Sequence, residues 1–133
     1  MQTQFLNPPS LCLTFGWSHV VTATGGKTVY VSGQVSVNER GEVVGKGDLH
    51  AQTEQTFKNL QHGLAAVGAR FQDVVKMSLF VVGLKPEHVP IIREVRSRYV
   101  HAEKPPASTL VGVSALVGAD WLIEIEVIAV VPE

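Results

Sequence analysis

The sequence predicts a two-layer α+β fold, and three observations carry that prediction. The hydrophobic period switches between two and about 3.6 in the order strand, strand, helix, strand, helix, strand, strand. Only two segments are amphipathic at the helical period, enough to cover one face of a sheet but not both. The last strand alternates strictly, with Ile123, Ile125, Val127, Ala129 and Val131 on one side and Leu122, Glu124, Glu126 and Ile128 on the other. One face is wholly apolar, and the opposite one, with two carboxylates, must meet water, a partner or a ligand.

The 133 residues suit one domain with a proper core, so a single domain is expected over 1–133. A formal charge of −1 argues against strong attraction to nucleic acid or anionic lipid. No apolar run approaches the roughly 18 residues of a membrane span, and the start lacks the basic and apolar regions of a signal peptide. A cytoplasmic protein is expected. The single cysteine, Cys12, has no internal disulfide partner and reads as a buried, inert thiol.

Residues 1–16, with Asn7-Pro8-Pro9-Ser10, show no sustained period and are expected to be an irregular lead-in. Val20 to Ala23 reads as a short strand, Gly25-Gly26 as a tight hairpin turn, and Thr28 to Val37 as a strand. In that strand Val29, Val31, Val35 and Val37 share one face with Gly33, and Tyr30, Ser32 and Gln34 share the other. After the turn Asn38-Glu39-Arg40-Gly41, Glu42 to Val44 reads as a short strand. Asp48 is placed to cap a helix running to about Val67, with Leu49, Thr53, Phe57, Leu60, Leu64 and Val67 at steps of three and four and Gly68 ending it.

Val74 to Val82 is the next strand, with Val75, Met77, Leu79 and Val81 opposed to Lys76, Ser78 and Phe80. The second helix runs from about Val89 to Val100, which places Pro90 in its first turn. Val89, Ile92, Val95 and Tyr99 are expected inward, and Arg93, Glu94, Arg96 and Arg98 outward as a solvated face. Lys104 to Val131 then supplies two strands joined at Val117-Gly118-Ala119-Asp120.

The uncovered sheet face is expected to carry Ser32, Gln34, Lys76, Ser78, Ser114, Glu124 and Glu126 together with Tyr30, Phe80, Leu110 and Leu116. That mixture is too apolar to leave bare, so the sheet is expected to pack against other copies of itself, with small-molecule pockets at the seams. The five histidines are scattered outside any zinc spacing, and no glycine run matches a phosphate loop, so neither metal nor cofactor is called for. Glu124 and Glu126 stand about 6.6 Å apart along a strand. The pair fits a structural or interfacial role, or a carboxylate that orients or activates water.

Several segments together resemble the RidA/YjgF family. They are Val31-Ser32-Gly33-Gln34, Ala51-Gln52-Thr53 through Asn59-Leu60, Asp73-Val74-Val75-Lys76, Lys104-Pro105 with Ser108-Thr109, and Glu124-Ile125-Glu126-Val127-Ile128-Ala129. The resemblance runs from about Trp17 to Val130. It implies a chorismate-mutase-like fold, a homotrimer with a central β-barrel, and small-ligand sites between subunits. The activity it implies is hydrolysis of reactive enamine or imine acids to 2-keto acids and ammonia, with an arginine clamping the carboxylate and a glutamate placing water.

By that resemblance the glutamate corresponds to Glu124, the motif serine to Ser32, and the ring of a Gly-Pro-Tyr-Ser segment to Trp17, which lacks the phenolic hydroxyl. Where deaminases of the family have Lys-Pro-Ala-Arg-Ser, this chain has Lys104-Pro105-Pro106-Ala107-Ser108, so Ala107 replaces the clamp beside Ser108 and Thr109. Losing a bidentate charged contact costs several kcal/mol, and Lys104 offers only a point charge. The resemblance is therefore to an arginine-lacking subgroup. Three functions follow in order: a deaminase-type hydrolase of a small imine or enamine, a non-catalytic ligand-binding or chaperone-like trimer, and an endoribonuclease. Low charge and the lack of a His/Lys cluster count against the last.

Overall fold

The computed structural model describes residues 1–133 and contains two sheets and two helices. In chain order the elements are β1 (Gln2–Leu6), β2 (Val20–Thr24), β3 (Lys27–Gln34), α1 (Leu49–Ala65), β4 (Val74–Val82), α2 (His88–Arg96), β5 (Ala107–Val113) and β6 (Ile123–Val131), with a short 3₁₀ turn at Phe71–Asp73. The main sheet has the order β3-β6-β4-β5, antiparallel except for the parallel β4–β5 pair. This mixed sheet with two helices on it is the expected α+β architecture. No helix is long and apolar enough to cross a membrane.

The lead-in expected to be irregular contains a strand, because β1 pairs with β2 from Gln2↔Thr24 to Leu6↔Val20. Its five residues alternate without a core face of their own, which hid the period. Gly25 and Gly26, at φ 74° and 79°, do turn the chain, but they form no hairpin: β2 pairs with β1 while β3 pairs with β6. The Glu42–Val44 segment amounts to one isolated bridge, Val37↔Val43.

α1 begins as expected, with the Asp48 side chain accepting a hydrogen bond from the Ala51 amide at 3.0 Å. It ends before Val67, which is 42% exposed, and Gly68 at φ 72° reverses the chain so that the Ala69 amide reaches the Leu64 carbonyl at 2.9 Å. Phe57, Leu60 and Leu64 pack with Met77, Leu79, Ile92, Val95, Ile123 and Ile125 in the core between helices and sheet. Tyr99 stacks on Phe57 at 5.1 Å between centroids.

Two bulges re-aim side chains that simple alternation misplaces. The register of β3 against β6 shifts between Val31 and Gln34, so Gln34 turns to the α1 side, beside Gln55, Asn59 and Gly63. The register of β4 shifts between Val74 and Lys76, so Val74, not Val75, is the buried residue. Leu110, expected on the uncovered face, packs against the core on the helix side. Ser114 lies beyond the end of β5.

Candidate functional site

The uncovered face is a grid set by register. Lys76 of β4 stands opposite Ala107 of β5 and Ile128 of β6, Ser78 opposite Thr109 and Glu126, and Phe80 opposite Val111 and Glu124. Lys76 Nζ donates to Thr109 Oγ1 at 2.9 Å, so the ammonium group is held on the same face as Ala107. Ser32, Lys76, Ser78, Glu126 and Tyr30 line a cavity of about 210 Å³ on this face. Tyr30 is 77% exposed, unusual for an aromatic ring in the middle of a strand.

Glu124 is one row further along. Its side chain lies over the backbone of Gly33, where a Cβ would stand 2.8 Å from the carboxylate carbon, 3.0 Å from Cγ, and in overlap with Oε2. Glycine at 33 is thus what allows the Glu124 carboxylate to lie flat on β3, between the motif serine and Gln34. Since a strand rises about 3.3 Å per residue, four residues separate the Phe80–Glu124 row from the Lys76–Ala107 row by roughly 13 Å. A ligand a few atoms long does not span that distance within one chain.

The other expected residues lie elsewhere. Trp17 and Ser108 meet in a cleft of about 240 Å³ between α2 and β5, floored by Ile92 and Leu110. Ser18, next to Trp17, is fixed to the start of β5 by Ser18 N to Pro106 O at 3.0 Å and Ser18 Oγ to Pro105 O at 2.6 Å. The Trp17 ring meets His19 edge-on at 4.7 Å. The structure therefore divides the six residues: Ser32, Ala107, Thr109 and Glu124 belong to the uncovered face, Trp17 and Ser108 to the α2–β5 cleft. Cys12, expected to be buried, is exposed. Its sulfur lies 3.9 Å from His19 Nε2.

The arginine-bearing face of α2 also departs from expectation. Arg98 is exposed and bonds Glu94 at 2.8 Å and Glu54 at 2.9 Å, with His50 within 3.3 Å of Glu94. The Arg98 hydrogen bond holds the Glu94 carboxyl below its usual range, and Glu94 in turn raises Arg98. Arg96 is buried, at 8% exposure, and burial pushes its pKa down, with neighbouring Arg93 adding to the effect. The helix was expected to run to Val100 and turn this residue outward, but it ends at Arg96, and the lead-in loop at Phe15–Gly16 closes over the side chain.

Two further polar residues were not singled out as site residues. Gln52, fully buried, donates to the Gly45 and Asp120 carbonyls at 3.2 and 2.9 Å and accepts from the Leu122 amide at 2.9 Å. It ties α1 to the entry of the strand that carries Glu124. Asn59 Nδ2 donates to the Val35 and Val37 carbonyls at 2.9 Å each, bracing the irregular end of β3. A glutamine on the inward stripe of a helix was the available signal for the first. No three His, Cys, Asp or Glu side chains are grouped to hold a metal ion.

A family profile described as endoribonuclease L-PSP matches residues 12–131. A 2-iminobutanoate/2-iminopropanoate deaminase of Dermatophagoides farinae is 34% identical over 106 residues, covering 80% of each chain. A RutC family protein of Saccharolobus solfataricus is 40% identical over 105 residues, 78% of this chain and 79% of that one. Among solved structures, a Rid-family protein of unknown function from Yersinia pestis superposes with a TM-score of 0.91 at 37% identity, covering 98% of this chain and all of that one.

Proposed function

Because the chain belongs to the endoribonuclease L-PSP family, that of the RidA/YjgF proteins, we propose that it is a deaminase-type hydrolase of a small imine or enamine. The observation that carries the proposal is Glu124, a carboxylate laid over Gly33 on a sheet face that no helix covers. In this reading water attacks the C=N carbon while Glu124 accepts its proton. Glu124 returns that proton to nitrogen, and the resulting carbinolamine expels ammonia as the C–N bond breaks and the hydroxyl proton passes to the departing nitrogen, leaving a ketone; an enamine must first take a proton on carbon to become the imine. No metal or redox partner enters the balance.

The site is completed by a second copy of the chain in a homotrimer with a central β-barrel. Support comes from the roughly 13 Å between the Glu124 and Ala107 rows and from the exposure of Tyr30 and Val111 on a sheet face. Trp17, Ser32, Ser108 and Thr109 are the remaining substrate-binding residues, contributed from both sides of the seam. Ala107 leaves the clamp position without a guanidinium, as in an arginine-lacking subgroup. The cation standing opposite it is Lys76, a single point charge suited to weaker, less directional contact with a substrate anion.

The test follows ammonia release from 2-iminobutanoate and from neutral imines. The expected result is faster decay than in buffer and a fall of about 10²-fold or more in Glu124→Ala. No acceleration by the native protein, or an unchanged rate in the variant, would leave a ligand-binding trimer as the better account. RNA cleavage has no support beyond the family's description, given the net charge of −1.

A further inference from the structure

We propose that β1 is an interaction strand whose partner is a second copy of this chain. Two β1 strands pair antiparallel about a twofold axis at Gln4, joining two ribbons into a four-stranded sheet.

The first observation is one of composition. None of the chain's 11 basic and 12 acidic residues falls within residues 1–26, and the first of them is Lys27. Charge is what natural proteins place on a strand edge to keep it from pairing, with proline and bulges as alternatives, and Gln2–Leu6 carries none of the three. The edge is also open. β1 pairs only with β2, and no other backbone hydrogen bond reaches it, so the groups along its outer side have no partner within the chain. Two strands alone make a marginal sheet, and added strands raise its stability.

A second copy fits this edge on three counts. In the register centred on Gln4, that residue faces its own copy, Gln2 faces the partner subunit's Leu6, and Thr3 faces the partner subunit's Phe5. No like charges meet, and the two Gln4 amides can exchange hydrogen bonds. Exposed Gln2, Gln4 and Leu6 stay on one face and half-buried Thr3 and Phe5 on the other, so neither chain turns a side chain over. Pro8 and Pro9, which lack the N–H a ladder needs, limit the pairing to the five residues before them.

The exposed apolar area is of the right size. Leu6, Leu11, Leu13, Phe15 and Val20 all belong to this uncharged stretch, and Leu13 and Phe15 are 86% and 68% exposed. At about 200 Å² for a fully exposed large side chain, the five present roughly 600 Å², most of the ~800 Å² that each partner gives to a standard interface.

This contact is separate from the seam of the proposed hydrolase, which uses the uncovered face of the main sheet, because β1 lies outside that sheet. It goes beyond the hydrolase reading and doubles whatever assembly the seam makes: six chains if three sheets close into a barrel, two if the sheet face stays free.

Light scattering on the native protein at about 100 μM, and on Gln4→Lys, reads the number of chains. An even number is expected for the native protein. Gln4→Lys is expected to halve it, because two ammonium groups then oppose each other across the axis, while the exposed position leaves the melting temperature unchanged. Disulfide trapping in a Cys12→Ser background, which removes the one native thiol, reads the register. Directly opposed residues lie about 4.5–5.5 Å apart at Cα, within disulfide reach, whereas the two copies of Gln2 stand roughly 13 Å apart along the strands. Gln4→Cys is therefore expected to give a linked dimer on a non-reducing gel, and Gln2→Cys none. Should Gln4→Lys melt early, the trapping pair decides alone. An odd number of native chains, an unchanged mass in a folded Gln4→Lys, or equal cross-linking at positions 2 and 4 would overturn the proposal. A native trimer would do so while leaving the hydrolase seam standing.

Discussion

Gly33→Ala separates the placement of Glu124 from the stability of the strand beneath it. The backbone at Gly33 is not in the left-handed region, so alanine is permitted there, and replacing strand glycine by alanine alone gains about 0.5–1 kcal/mol. The new Cβ, however, would lie 2.8 Å from the Glu124 carboxylate carbon and 3.0 Å from its Cγ, both well inside van der Waals contact. The blocking atoms are the far end of a flexible side chain, so the carboxylate swings away by on the order of 1 Å and the backbone stays. A displacement of that size at a water-placing group costs about 10²-fold in rate. The expected outcome is a melting temperature near that of the native protein with ammonia release reduced toward the level of Glu124→Ala. Unchanged activity would refute the role given to the Gly33 seat, and a collapse of melting temperature would refute the claim that only a side chain moves.

Other consequences are checked by thermal or denaturant unfolding. Gln52→Ala removes three hydrogen bonds made by a fully buried side chain and leaves a cavity in its place, so it should cost about 3 kcal/mol. Thr56 Oγ1 is buried with no hydrogen-bond partner, so Thr56→Val, a change of similar shape, should stabilise by about 1 kcal/mol. Glu94 has a lowered pKa in the folded state, so its stabilising contribution is present above its unfolded pKa and is lost as pH falls through the folded value. Arg98→Gln should accordingly lower stability at neutral and high pH and flatten the acid limb of the stability–pH curve, the difference from the native protein fading as pH falls through the folded pKa of Glu94.

The elements with a strong apolar period were legible in the sequence: β4 begins and ends where alternation places it, and the α1 start follows from Asp48. What the sequence hid was chiefly non-local. β1 has no core face and exists because β2 pairs with it. Gln34, Val74 and Val75 are re-aimed by two bulges, and one extra residue in a strand inverts every later parity. Arg96 looked like one more charge on a polar helix face. Its burial depends on the Phe15–Gly16 loop, 80 residues away in sequence, folding over it. At the site, Glu124 was readable as an acid on an apolar strand, but the reason Gly33 accompanies it required the two strands to be set side by side.

The two faces of β5 meet different surroundings. Because alternate residues of a strand face opposite ways, Ala107 and Thr109 share the sheet face with Lys76, while Ser108 and Leu110 share the cleft with Arg93 and Arg96. The positive charge on the first face is a lysine already engaged by a hydroxyl, and that on the second is the buried Arg96, 3.4 Å from the Phe15 carbonyl, beside the exposed Arg93. In the hydrolase reading, Lys76 offers a substrate carboxylate on the Glu124 face only a point charge, already shared with Thr109. Ala107 directly follows Pro105 and Pro106, so the Ser18 hydrogen bonds to their carbonyls fix the edge from which the opposite face is built.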